Sequence, residues 1–128
     1  MEQWTRDHLD TAERNRDLAR LLLTSSSSLG LPVPPSEWAA VIAFYSAVHF
    51  VNAYLWERYR VEPRDHSERN HYVRTDPILR RCLQAYSRLR DEGFRSRYHR
   101  AHRLNVQQAA GLINIDLANV ESVVRAAI

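Results

Sequence analysis

The amino-acid sequence predicts an all-α fold, an up-and-down bundle of four main helices with short extra helical segments. Three observations carry that expectation. Apolar residues recur at spacings of three and four along three separate segments. A fourth segment runs nineteen residues without a charge, which fits a central helix buried nearly all round. No stretch sustains alternation of period two, so no strand is expected.

The first helix is expected over about residues 3–24, where Trp4, His8, Ala12, Leu18, Ala19 and Leu22 recur at helical spacing. Residues 25–35, SSSSLGLPVPP, are polar and then closed by three prolines, so they read as a connecting loop. Ser36 is the expected N-cap of the second helix, and Glu37 sits where the helix dipole favours an acid. The uncharged run from Trp38 to Trp56 is nominally long enough to span a bilayer. Tyr45, Ser46, His49, Asn52 and Tyr54 make it too polar for that, and no membrane association is expected.

Pro63 breaks any helix arriving in residues 60–76, after which HSERNHYV allows a short one. Asp76-Pro77 has the form of an N-cap followed by a first helical residue. Ile78, Leu79, Cys82, Leu83, Tyr86 and Leu89 then mark a third main helix to about Glu92, with Gly93 as its stop. Residues 94–104, FRSRYHRAHRL, are strongly basic and expected to be helical too. A terminal helix packs through Val106, Ala110, Ile113, Leu117, Val120, Val124 and Ala127.

The length of 128 residues suits one domain with its own core. A single cysteine excludes an internal disulfide framework and a thiolate zinc finger. Cys82 lies on an apolar stripe and reads as a buried structural thiol. The opening MEQWTRDHLD lacks the basic and apolar regions of a secretory signal, so a reducing, cytoplasmic setting is expected. All eighteen basic residues are arginine. Residues 58–103 hold thirteen of them against six acids, a net of +7, whereas residues 1–57 hold four against seven, a net of −3. A basic block of this kind attracts anions such as nucleic acid.

Six histidines invite a metal reading, which their spacing does not support. Glu68 and His71 form one Glu-x-x-His pair, but a di-iron bundle needs two, and His99-x-x-His102 has no third ligand. No metal or other cofactor is expected. Metal-free RNA cleavage instead needs a group that exchanges protons near neutrality, which His supplies, and a fixed cation for the phosphate, which Arg supplies. The basic block offers both. His66 and Arg69 share a face if their segment is helical, as do Arg95, His99 and His102. His49, inside the uncharged helix, reads as a buried neutral imidazole or as the wall of a site.

Trp38, then FYSAVHFVNAYL (Phe44–Leu55), His66-x-x-Arg69, Tyr86-x-x-Leu89 and Arg97-Tyr98 together resemble the HEPN superfamily, over about residues 36–125. The resemblance implies a four-to-five-helix bundle that dimerises, in many members a metal-independent endoribonuclease of toxin or defence type. It implies RNA or a nucleotide as ligand, a homodimer, and an antitoxin or other partner protein. Family nucleases use an Arg and a His with four to six residues between them. Arg60–His66, Arg64–His71, Arg95–His102 and Arg97–His102 have that spacing, which so many arginines make common. A separation of seven returns to the same helix face, which ranks Arg64–His71 and Arg95–His102 above the others.

The residues expected to carry catalysis are therefore His66, His102, Arg69 and Arg97. Arg64, Arg95, Tyr98, His71 and His99 are expected on phosphate or RNA, and Tyr45 and His49 on the pocket wall. His66-Arg69 and Arg97-Tyr98 are expected to face each other across the bundle. The alternative is a non-catalytic RNA-binding or dimerisation module.

Overall fold

The computed structural model describes residues 1–128. It is an all-α bundle without strands, built from α1 (Gln3–Thr24), α2 (Ser36–Tyr59), α3 (His66–Thr75), α4 (Leu83–Tyr98), α5 (Val106–Gly111) and α6 (Ala118–Ala127). A 3₁₀ turn, Leu79–Cys82, leads into α4, and a π-helical segment, Leu112–Leu117, joins α5 to α6 as one rod. The loop over residues 25–35 falls where the prolines place it.

α2 is the centre. It is the one helix long and apolar enough to cross a membrane, and most of it is buried inside the bundle. α1 packs along it antiparallel: Thr5 bonds Glu57, His8 bonds His49, and the Ser46 hydroxyl donates to the Ala12 carbonyl at 2.7 Å. The buried stripe of α1 is Thr5, Leu9, Ala12, Ala19 and Leu23, which keeps Ala12 and Ala19 of the expected seam and shifts the rest by one position. Trp4 and Leu18 stay largely exposed. The shift has a polar cause. Thr5 reaches Glu57 at 2.6 Å, and Arg16, on the same stripe, reaches Glu121 on α6 at 2.8 Å.

Ser36 is the first helical residue, not the cap. Pro35 holds the N-cap place and no side chain caps the end. At the far end Arg60 adopts a left-handed conformation, φ 56°, and its guanidinium bonds the Trp56 and Glu57 carbonyls. Asp65 caps α3 by accepting from the Glu68 N–H at 2.8 Å. Asp76 is buried and accepts from Tyr54, Tyr59 and the Ile78 and Leu79 N–H groups. Burial alone would raise its carboxyl, and these donors outweigh it and hold it below the usual carboxylate range. Asp76 thus caps the 3₁₀ turn, and regular α-helix begins only at Leu83.

Cys82 is buried as expected, and burial pushes its thiol up to about 11. Gly93 does not stop α4. The helix runs through it to Tyr98, and residues 99–105 are turn and loop rather than helix. The basic stretch ends its helix there because Asn105 starts a new one, with a reciprocal capping box to Gln108. In the terminal rod the π segment rotates the buried face, so Ala109, Leu112, Ile113, Leu117, Val120 and Val124 are inside. Val106 and Ala127, at the ends of the expected seam, are exposed.

Gly93 instead sets the α2–α4 spacing. A Cβ at this position would stand 2.9 Å from the Phe44 Cβ, a distance that backbone-anchored atoms cannot relieve. Alanine would gain about 1 kcal/mol of helix propensity and incur about 2–3 kcal/mol of overpacking, the upper part of the usual range because the opposing Phe44 Cβ is held by its backbone. Gly93→Ala is therefore expected to lose about 1–2 kcal/mol of unfolding free energy in urea titration. A variant as stable as the parent would show that the helices are free to separate.

Candidate functional site

Beyond Gly93, α4 carries Phe94, Arg97 and Tyr98 over the first half of α2 and the start of α3. Together they enclose a cleft of about 260 Å³. Val41, Phe44 and Gly93 form its buried floor, and Tyr45, His66, Arg90, Phe94, Arg97 and Tyr98 form its walls. The Arg97 guanidinium lies 5.9 Å from the Tyr45 ring centre and 5.3 Å from that of Tyr98, and it donates to the Tyr45 hydroxyl. Two aromatic faces fix this cation and no carboxylate neutralises it.

Arg69 stands behind His66. It is only 7% exposed, and its Nε donates to Asn52 Oδ1 at 2.9 Å. Its Nη1 donates to His66 Nδ1 at 3.0 Å. A guanidinium has no acceptor, so Nδ1 must carry the lone pair and Nε2 the proton. Burial, then the charge of Arg69 and more weakly of Arg97, hold the His66 pKa below its ordinary value against the opposing pull of Asp65. His66 is thus a neutral imidazole whose one lone pair is taken. It can present an N–H, but it cannot accept a substrate proton while this bond stands. Arg69, expected among the catalytic residues, is a buried positioning residue.

His102 is in the opposite condition. Its Nε2–H donates to Glu92 Oε2 at 2.8 Å, which leaves the Nδ1 lone pair free. Arg95 donates to the other oxygen of Glu92 at 3.0 Å. The Arg95–His102 pair therefore meets, through a shared carboxylate rather than along a helix face. The chain leaves the helix at Tyr98 and turns, with the His102 N–H bonded to the His99 carbonyl. His102 lines a second cleft, of about 330 Å³, with Trp38, Arg97, Tyr98, His99, Arg100 and Arg103 among its walls. Glu37 also lines it, with its carboxylate accepting from the Leu104 N–H at 2.9 Å.

The two clefts flank one ridge, Arg97–Tyr98, which lines both. His66 faces Arg97-Tyr98 as expected, but His66 and His102 line different clefts. Arg64 is exposed and ion-paired with Glu68 at 2.7 Å, and His71 is exposed further along α3; neither lines these clefts. Tyr45 is a wall, whereas His49 is not. Its Nδ1 lies 3.0 Å from Nδ1 of His8, turned toward α1. Glu62 approaches His8 Nε2 at 4.0 Å, yet no group of three such side chains is arranged to hold a metal ion. Sequence reasoning missed Glu92, Asn52 and Arg90 as parts of the site. Glu92 was visible only as an acid three residues before Arg95, and its contact with His102 needs the turn after Tyr98. Compared with family models and with curated proteins, the chain matches none.

Burial, then the charge of Arg69, lowers the His8 pKa; burial, His8 and Arg69 lower that of His49. A histidine whose folded pKa lies below its unfolded value of about 6.5 stabilises the fold above that pH and loses the contribution as pH falls through it. Thermal stability is expected to be flat above about pH 7 and to drop below about 6.5. In a variant with His8→Asn and His49→Asn the drop is expected to be shallower. An equally steep drop in that variant would assign it to other groups.

Proposed function

We propose that this chain is a HEPN-like bundle acting on single-stranded RNA in the cytoplasm, and that it cleaves RNA by a metal-independent transesterification. The observation that carries the reading is the Glu92–His102 pair, which opens onto a cleft lined by arginines that have no carboxylate partner. The carboxylate fixes the imidazole and leaves Nδ1 as a proton acceptor. Arg97, Arg100 and Arg103 supply positive charge in the same cleft, and exposed Trp38 and Tyr98 offer faces on which bases stack.

In this mechanism His102 Nδ1 takes the proton of a ribose 2′-hydroxyl. The 2′-oxygen attacks the adjacent phosphorus, the bond to the 5′-oxygen breaks, and that oxygen takes a proton from the His99 side of the cleft or from water. The products are a 2′,3′-cyclic phosphate and a 5′-hydroxyl. Arg97 opposes the charge that builds on the phosphate oxygens. Arg95 holds Glu92 from its other oxygen, and so acts through the dyad rather than on the substrate. The HEPN resemblance of the sequence supports the same chemistry.

With purified protein in chelator, a single-stranded RNA is expected to be cut, and His102→Ala to cut it roughly 10²–10⁴-fold more slowly. Glu92→Gln is expected to retain part of the activity and Arg97→Ala to weaken binding, with a smaller salt dependence. Intact RNA that is nevertheless bound in a salt-sensitive way would assign the chain to the non-catalytic binding class. His102→Ala cutting at the parent rate would remove the dyad from the mechanism.

A further inference from the structure

The cleft on the other side of the Arg97–Tyr98 ridge has a different character. Its floor is apolar, Val41, Phe44 and Gly93, and Tyr45 and Phe94 stand beside it as aromatic walls. At about 260 Å³ it falls below the roughly 300–1,000 Å³ of sites for drug-sized ligands. A slot of this size and lining suits one ring system stacked on aromatic faces.

Apart from the Tyr45 and Tyr98 hydroxyls, the polar atoms at its edge are of one kind. His66 presents Nε2–H and Arg97 presents guanidinium N–H groups, while Arg90, whose Nε and one terminal nitrogen are paired with Asp91, adds its remaining N–H groups. No Asp, Glu, Asn or Gln lines the slot, and the Tyr45 hydroxyl already accepts from Arg97. The slot therefore offers mainly donors, with the two tyrosine hydroxyls as its only side-chain acceptors. Arg69 locks that choice. Its bond to Nδ1 prevents His66 from turning to the other tautomer and presenting a lone pair to the ligand. Guanine and uracil carry carbonyl acceptors where adenine and cytosine carry amino groups. An amino group facing these donors would leave buried N–H groups unpaired, and that mismatch discriminates between ligands strongly.

We infer that this slot is a nucleobase subsite that prefers the keto bases guanine and uracil, and that His66 reads the base edge. The inference rests on the RNA reading above for its ligand, because a strand with its phosphate on Arg97 passes one base to each side of the ridge. His66 selects here and takes no part in proton transfer. Arg69 is the positioning residue that makes the selection one-sided.

Calorimetric titration with GMP, UMP, AMP, CMP and ribose 5-phosphate tests it. GMP and UMP are expected to bind roughly tenfold tighter than AMP, CMP and the base-free sugar phosphate. His66→Gln, whose amide both donates and accepts, is expected to bring the four nucleotides together. Phe94→Ala, at a position already exposed, is expected to weaken all four without changing their order. Equal affinity for the four nucleotides and ribose 5-phosphate, or no binding at millimolar concentration, would overturn the subsite. So would a keto preference that persists in folded His66→Gln, or a Phe94→Ala variant as tight as the parent. RNA cleavage without base preference would sink the subsite and leave the RNA reading standing. A clear GMP and UMP preference in a protein that neither binds nor cuts RNA would do the reverse.

Discussion

The functional face depends on how closely α4 can approach α2. Gly93 lies against the Phe44 side chain with no room for a methyl group, so α4 settles onto α2 there and continues. One helical turn later it delivers Arg97 between Tyr45 of α2 and its own neighbour Tyr98. That placement divides the surface into a deep apolar slot and an open basic cleft. It also carries the chain to the turn that brings His102 back onto Glu92. A larger residue at 93 would push the helices apart and move the ridge and both clefts with it.

Within that frame, two histidines of the same intrinsic chemistry are put to different uses by what each one's nitrogen meets. At His66 the partner is a cation, so the lone pair is consumed and the ring is left neutral with an N–H to offer. At His102 the partner is an anion, so the N–H is consumed and the lone pair is left to offer. Arginine makes the first arrangement possible, since a guanidinium donates through several nitrogens and stays charged when buried. Arg69 uses one nitrogen for Asn52 and another for His66. Elsewhere the basic block is partly spent on the fold itself: Arg64, Arg88, Arg90 and Arg95 are ion-paired with Glu68, Asp116, Asp91 and Glu92. Arg97, Arg100 and Arg103 make no ion pair and face the open cleft, so the local field there stays positive.

Much of the fold was legible because helical periodicity and an uncharged run are properties of consecutive residues. The all-α class, the loop over 25–35, the central helix and the buried Cys82 followed directly. What periodicity could not show is how polar side chains bend it. Thr5 and Arg16 take places on the inner stripe of α1 because partners wait on α2 and α6, and the π segment shifts the terminal seam. Gly93 looked like a stop because glycine often ends helices, whereas here the missing side chain serves a neighbouring helix. For the site, the facing of His66-Arg69 and Arg97-Tyr98 was expected from the family resemblance, and the structure brings His66 to Arg97-Tyr98 while Arg69 stays buried behind it. The Glu92–His102 contact was not, since it spans ten residues and a turn with no periodic signature. Of the two readings of His49, the imidazole with a hydrogen-bond partner is the one found, and its partner could not be named from the sequence because His8 lies forty-one residues away on another helix.

The proposed cleavage depends on His102 accepting the 2′-hydroxyl proton. The most direct measurement is mass spectrometry of the ends left on RNA treated with the protein in chelator. A 2′,3′-cyclic phosphate and a 5′-hydroxyl from the parent, with neither produced by His102→Ala, is the predicted result. Ends bearing a 3′-hydroxyl and a 5′-phosphate, or cyclic ends from His102→Ala in parental amounts, would contradict it.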